Sequence, residues 1–248
     1  METIYIFKRI ERKYFVDEKI KQKLLQMTKY QLHMDAYGKS TICSLYLDTP
    51  DHRIIRSSID AGAYKEKLRL RSYGTPQSDS PVYLELKKKY QGVVYKRRVS
   101  LTLSDAKAYL AEGKRSVDSQ IWREIDYAMR FYQWPRPAMF IAYEREAFTW
   151  ADDPSFRITF DAAPRARDKA LELERGSAGT ALLPMGIALM EVKSSGAMPL
   201  AFSRVLNELS ILPTSFSKYG TAYTNSLIEE KHPAASVTKG AMQYVSNL

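Results

Sequence analysis

Alternation with a period of two organises much of this chain. In EKLRLRSYG (66–74), Glu66, Leu68 and Leu70 fall on one side and, with the preceding Lys, Lys67, Arg69 and Arg71 fall on the other. That is the spacing of a strand, whose side chains point alternately to opposite faces. Further strand-like segments are IFKRIERKYFV (6–16), STICSLYLDT (40–49), VYLELKKKY (82–90), VVYKRRVSLTL (93–103), AMFIAYEREAFTW (138–150), FRITFDAAPRAR (156–167) and ALMEVKSSG (188–196). YGTPQSDSP (73–81) carries the Gly, Pro, Ser and Asp punctuation of a hairpin connection.

A helical period takes over between these segments. Ile20, Leu24 and Met27 recur after Asp17, which predicts a helix starting there. Thr49 followed by Pro50 reads as an N-cap and first turn, with Gly62 shortly past the end of that helix. Ser104 is placed to cap DAKAYLAEG, and SQIWREIDYAMRFY sets Ile121, Ile125, Ala128 and Tyr132 along one face. Pro199 opens LAFSRVLNELSIL, and a last helix follows Lys218. Neither an internal repeat nor a linker interrupts the chain, so residues 1–248 are expected to form a single domain.

The polar faces of the strands decide the expected architecture. Charged or tyrosine side chains recur two apart: Glu11 with Lys13, Arg69 with Arg71, Glu85 with Lys87, Lys96 with Arg98, Tyr143 with Arg145, Glu191 with Lys193. Neighbouring cations on one strand face sit roughly 7 Å apart, which at an effective dielectric near 20 costs about 2 kcal/mol per pair. An anion should therefore compensate them. A solvated antiparallel face would account for any one of these strands. Repetition across all of them points instead to an α+β fold, an antiparallel eight-stranded closed barrel with a hydrophilic interior, surrounded by amphipathic helices.

Charge and composition narrow the partners. Thirty-eight Lys and Arg against twenty-eight Asp and Glu give a net charge of +10, which favours polyanions. Aromatic residues are not interleaved with the basic strand faces in the way base stacking requires, so nucleic acid is an unlikely partner. Cys43, the single cysteine, lies among apolar neighbours and reads as a buried structural thiol. The N-terminus lacks a secretion-signal pattern, and TALLPMGIALM is too short and Pro-interrupted to span a bilayer, so a cytoplasmic location is expected. His33, His52 and His232 lack ligand spacing for zinc, and the chain has neither a Gly-x-x-x-x-Gly-Lys-Ser/Thr loop nor Ser, His and Asp spaced as a hydrolase triad.

Taken in order, RIERKYF, SLYLDTPD, YKEKLRLRSYG, LELKKK, YKRRVSL, YEREAF, MEVKSSG and FSKYG resemble VTC domains, the polyphosphate polymerase branch of the triphosphate tunnel metalloenzyme (CYTH-like) superfamily. The resemblance runs from about residue 5 to about residue 225. It implies an eight-stranded tunnel that binds a triphosphate or polyphosphate together with Mn²⁺ or Mg²⁺. It also implies phosphate contacts from Lys13, Arg69, Arg71, Lys87, Lys96, Arg98, Tyr143, Arg145 and Lys193, and from Lys218 near the tunnel mouth. Of these, Lys13, Arg69, Arg71, Lys87 and Arg145 are the expected catalytic residues. Glu191 matches the metal-binding carboxylate, while Glu85 and Glu11 are further metal candidates; for Glu85 an ion pair with a lining cation is equally open, and Glu11 could instead orient Lys13. Hydrolase and cyclase members of the superfamily carry Glu-x-Glu-x-Lys on the first strand, where this chain has Arg9, Glu11 and Lys13. Losing one acid favours the polymerase branch.

The expected activity is transfer of the γ-phosphoryl group of ATP to a growing polyphosphate chain or a pyrophosphate primer. Arginine forks suit the fixed triphosphate, and lysines suit a chain that must slide. Metal-dependent hydrolysis of tripolyphosphate or a nucleoside triphosphate is the alternative, as is a non-catalytic polyphosphate-binding module. Coupling to a membrane-protein partner and the oligomeric state are left open.

Overall fold

The computed structural model describes residues 10–60, 62–91, 93–114 and 118–231. Arg9 and His232 lie outside the described residues. Along the chain come β1 (Ile10–Asp17), α1 (Glu18–Met27), β2 (Leu32–Asp48), α2 (Arg53–Ile59), β3 (Tyr64–Tyr73), β4 (Pro81–Tyr90), β5 (Val93–Thr102), α3 (Leu103–Glu112) and α4 (Gln120–Phe131). They are followed by β6 (Arg136–Trp150), β7 (Asp153–Arg167), β8 (Thr180–Ala181), β9 (Ile187–Ser194), α5 (Leu200–Glu208), β10 (Pro213–Thr214) and α6 (Lys218–Lys231). The fold is α+β, as the alternating periods predict. None of the described helices is long and apolar enough to cross a membrane.

All strands join one antiparallel sheet in the order β10-β1-β9-β7-β6-β2-β3-β4-β5, with β8 added to β7. This corrects the expected eight-stranded closed barrel: the sheet has ten strands, and among the described residues its ends, β5 and β10, are not paired to each other. It curls nonetheless. Lys87 of β4 reaches Glu11 of β1 at 3.2 Å, and Lys67 of β3 donates to Ser217 just ahead of α6 at 2.9 Å. Long ionic side chains thus bridge a seam where backbone ladders do not meet.

Local chemistry sets the helix starts, twice at positions other than those expected. Asp17 caps α1 through Ile20 N–H, and Pro199 precedes α5, as read from sequence. Thr102, not Ser104, caps α3 by accepting from Asp105 N–H. α2 begins at Arg53 rather than Pro50, because the buried Asp48 carboxylate accepts from Ile54 and Ile55 N–H and Thr49 Oγ1 accepts from Arg53 N–H. Asp48 also accepts from the Tyr219 hydroxyl at 2.8 Å, tying the SLYLDTPD segment to α6.

Three cores hold the sheet. α3 and α4 cover one half of the convex face, over Leu45, Leu68, Leu84, Leu86 and Phe140. α1 and α5 cover the other half, where Leu24 and Phe202 meet Tyr14, Phe156, Ile158 and Met190. The third core is on the concave side, where Tyr219 and Tyr223 of α6 and Ile55 of α2 pack on Phe15, Tyr46, Met139, Ile141 and Leu189. The helices therefore do not all surround the sheet: α6 fills one end of its hollow.

Candidate active site

β-Sheet register brings the charged pairs together. Glu11 and Lys13 lie opposite Lys193 and Glu191, and Thr159 lies beyond Glu191. Arg145 pairs with Asp161, Tyr46 with Arg69, Ser44 with Arg71, Arg69 with Glu85, and Glu85 with Arg98. Because directly opposed residues share a face, all of these project into the hollow. Lys13, Arg69, Arg71, Lys87, Lys96, Arg98, Tyr143, Arg145 and Lys193 thus line one surface, as the two-residue spacing predicted. Eight of these side chains are cations, against the four carboxylates Glu11, Glu85, Asp161 and Glu191.

Two ion-pair clusters organise this surface. Glu85, only 1% exposed, takes Arg69 Nε at 2.8 Å on Oε2, and Arg98 Nε at 2.6 Å with Lys96 Nζ at 2.7 Å on Oε1. The compensation demanded by the Arg69 and Arg71 row is therefore supplied in part from within the protein. Burial alone would raise the Glu85 carboxyl, but Arg69, Arg71, Lys96 and Arg98 hold it far below the usual carboxylate range. The second cluster centres on Asp161, which is fully buried and accepts a bidentate fork from Arg145 at 2.6 and 2.7 Å, plus Lys218 Nζ at 2.6 Å. Lys218 is buried at the start of α6 and anchors that helix to β7.

Burial and crowding also move the lysines. Desolvation, reinforced by neighbouring cations, lowers Lys67 to about 8 and Lys96 to about 7. Burial likewise lowers Lys13 and Lys193 despite Glu191 and Glu11 beside them. Burial would raise the Tyr46 phenol, yet Arg69, Lys67 and Arg71 bring it down to about 8. A site with lowered lysines and a lowered phenol is short of negative charge.

Sequence reading passed over three members of this surface. Lys67 was visible on the same strand face but matched no phosphate position. Asp161 was a lone acid inside FRITFDAAPRAR, just before Ala163, whose positive φ of 45° marks the bulge that breaks the alternation. Tyr46, stacked on Tyr219 at 4.6 Å, lay in an apolar motif. The expectation that aromatics avoid the basic faces is also corrected, since Tyr46, Tyr73, Tyr83 and Tyr143 share the concave face with the cations.

Carboxylates suited to a divalent cation are few. Both Glu85 oxygens are engaged by guanidinium and ammonium groups, so this metal candidate is saturated by cations. Glu191 and Glu11 lie diagonally on adjacent strands, close enough to perturb one another's ionisation, and the buried Thr159 Oγ1 opposite Glu191 has no hydrogen-bond partner. Among the described residues no cluster of three or more His, Cys, Asp or Glu side chains could hold a metal alone. Glu191 is flanked by Lys193 at 3.3 Å and Lys218 at 3.7 Å, and Glu11 by Lys87 at 3.2 Å, contacts longer than those of Arg69, Lys96 and Arg98 on Glu85. One or two carboxylates are the protein ligands that Mg²⁺ typically takes alongside waters and substrate phosphates.

The VTC domain family profile matches residues 8–227. Comparison with curated protein sequences finds no match. Among solved structures, the chain is similar to a candidate adenylate cyclase from Bacillus halodurans at 14% identity, over 84% of this chain and 93% of that one, with a TM-score of 0.53. It is also similar to a candidate adenylyl cyclase from Hippeastrum with a dominant triphosphatase activity, at 15% identity, over 87% and 95% of the two chains, with a TM-score of 0.52. At such identities the likeness is one of fold.

Proposed function

Since the chain belongs to the VTC domain family, we propose that it is a polyphosphate polymerase-like phosphotransferase, moving the γ-phosphoryl group of ATP onto a phosphate chain along its cationic hollow. The observation that carries this reading is the convergence of basic side chains from separate strands onto one concave face, in excess of its carboxylates. Phosphoryl transfer needs mainly positioning and charge stabilisation, and such a face supplies both.

In this reading Arg69, Arg71, Arg98 and Arg145 grip the triphosphate oxygens, and Glu85 and Asp161 hold the guanidinium planes in place. Lys13, Lys67, Lys87, Lys96 and Lys193 give less directional contacts along which a chain can shift. Glu191 and Glu11 would hold Mn²⁺ or Mg²⁺, which when bound neutralises phosphate charge as a Lewis acid. A terminal oxygen of the acceptor chain attacks the γ-phosphorus, the bond to the β–γ bridging oxygen breaks, and ADP departs with that electron pair.

One feature favours a phosphate acceptor over water. The carboxylates of the hollow are all held below their ordinary range: burial opposes this, but Lys87 and Lys193 prevail at Glu11, four cations at Glu85, Lys218 and Arg145 at Asp161, and Lys193 and Lys218 at Glu191. Such carboxylates are weak bases for activating water, whereas a terminal phosphate oxygen arrives already ionised. Hydrolysis of a small triphosphate in the same hollow is the second reading, favoured by the triphosphatase activity of the Hippeastrum relative of this fold.

Product analysis separates the readings. With ATP, Mn²⁺ and a pyrophosphate primer, the purified protein is expected to release ADP and build chains resolvable on a gel. Phosphate release without chains assigns hydrolysis, and release of neither overturns both readings in favour of a binding module.

A further inference from the structure

We propose that Tyr73, Tyr83 and Arg98 form a nucleobase-stacking platform at the open end of the hollow, so that the phosphoryl donor is recognised as a nucleoside triphosphate rather than as an inorganic one. The inference rests on the phosphotransfer reading above and names the residues that would hold the base of its nucleotide donor.

β3 runs from the filled end of the hollow to solvent. Lys67 donates to Ser217 at the foot of α6, Arg69 donates to the Tyr46 hydroxyl, and Arg71 donates to the Tyr143 hydroxyl. Tyr73, the next residue on that face, is 52% exposed. It therefore lies one strand step beyond the last arginine, roughly 7 Å further out. Tyr83, opposite Arg71 on β4, meets the Tyr73 ring edge to face, with centroids 5.8 Å apart and planes at 83°. Arg98 closes the group from β5: its guanidinium lies 4.4 Å from the Tyr83 ring centroid, and its Nη2 donates to the Tyr73 hydroxyl at 3.4 Å.

Three properties suit this group to a base. Neither tyrosine belongs to any of the three cores, so burial does not account for their placement. Two rigid rings at right angles with a guanidinium plane offer stacking surfaces at little cost in rotamer freedom. Arg98 is also bonded to Glu85, so the platform is continuous with the side chains assigned to the phosphates. A base stacked on Tyr73 would direct its triphosphate inward along Arg71 and Arg69. Stacking accepts any base, because every base has a π-face.

Isothermal titration in the presence of EDTA, comparing ATP with inorganic tripolyphosphate, tests the assignment. For Tyr73→Leu, ATP affinity is expected to fall about tenfold more than tripolyphosphate affinity, in line with the loss of one base stack. Tyr73→Phe keeps the ring but loses the bond to Arg98, and is expected to retain the wild-type ratio. GTP is expected to match ATP within a few-fold. An unchanged ratio in Tyr73→Leu, or an equal fall of the ratio in Tyr73→Phe, overturns the platform while leaving the phosphotransfer reading intact. Wild-type protein that binds neither ligand overturns that reading and the platform with it.

Discussion

Glu85 illustrates how this surface is held at the level of single residues. Its oxygens are shared among Arg69, Arg98 and Lys96, with Arg71 Nη1 at 3.9 Å. Removing one member of a buried ion-pair group costs about 3–5 kcal/mol, because the remaining charges are left unpaired. Glu85→Gln should therefore lose stability on that scale in urea unfolding, and tripolyphosphate should raise its melting temperature more than it raises that of the wild type. A variant as stable as the wild type would refute the anchoring role. Lys67, at about 8, and Lys96, at about 7, sit below an ordinary lysine near 10.5, and Tyr46, at about 8, sits below an ordinary phenol near 10. Between those limits the unfolded chain holds more protons than the folded one, so the contribution of these groups to stability rises with pH. Anion binding has the opposite sign, since it needs the lysines charged and the phenol neutral. Tripolyphosphate affinity should fall from pH 7 to pH 9, with net proton uptake on binding at pH 8 measurable by titration calorimetry in buffers of different ionisation enthalpy. Zero uptake would contradict these shifts.

Among the elements, α6 connects fold to site. Lys218 in its first turn bonds Asp161, Tyr219 bonds Asp48 and stacks on Tyr46, and Tyr223 lies in the concave core. Asp161→Asn weakens both the Arg145 fork and the Lys218 anchor. Hydrogen exchange of the amides of α6 should accelerate at least tenfold in this variant, and unchanged exchange would show that the apolar contacts alone seat the helix. The strands were legible because alternation survives wherever one face is charged and the other apolar, as in 64–73. The two-residue β8 and β10 carry no period at all. α6 read as an outer helix because its stripe of Tyr219, Ala222, Tyr223 and Leu227 does not encode which face of the sheet it covers, and the two ion pairs of Lys218 that seat it are made to residues distant in sequence. Asp48 shows a related limit: its helix-capping role depends on backbone N–H groups six and seven residues away, beyond the reach of local cap patterns.

For the molecule as a whole, a net charge of +10 is only a bias, and sheet curvature makes it specific. Sequence spacing placed the cations two apart on separate strands, but their convergence depends on strand order, which periodicity does not encode. The closed barrel expected from that spacing gives way to a curled sheet in which β4 and β1 are bridged by Lys87 and Glu11. The central claim is that this hollow holds condensed phosphate. Diffraction from crystals soaked with a non-hydrolysable ATP analogue and Mn²⁺ tests it most directly. The account predicts triphosphate density on Arg69, Arg71, Arg98 and Arg145, with an anomalous manganese peak beside Glu191. Triphosphate bound on the convex face, with the hollow lacking phosphate, would contradict it.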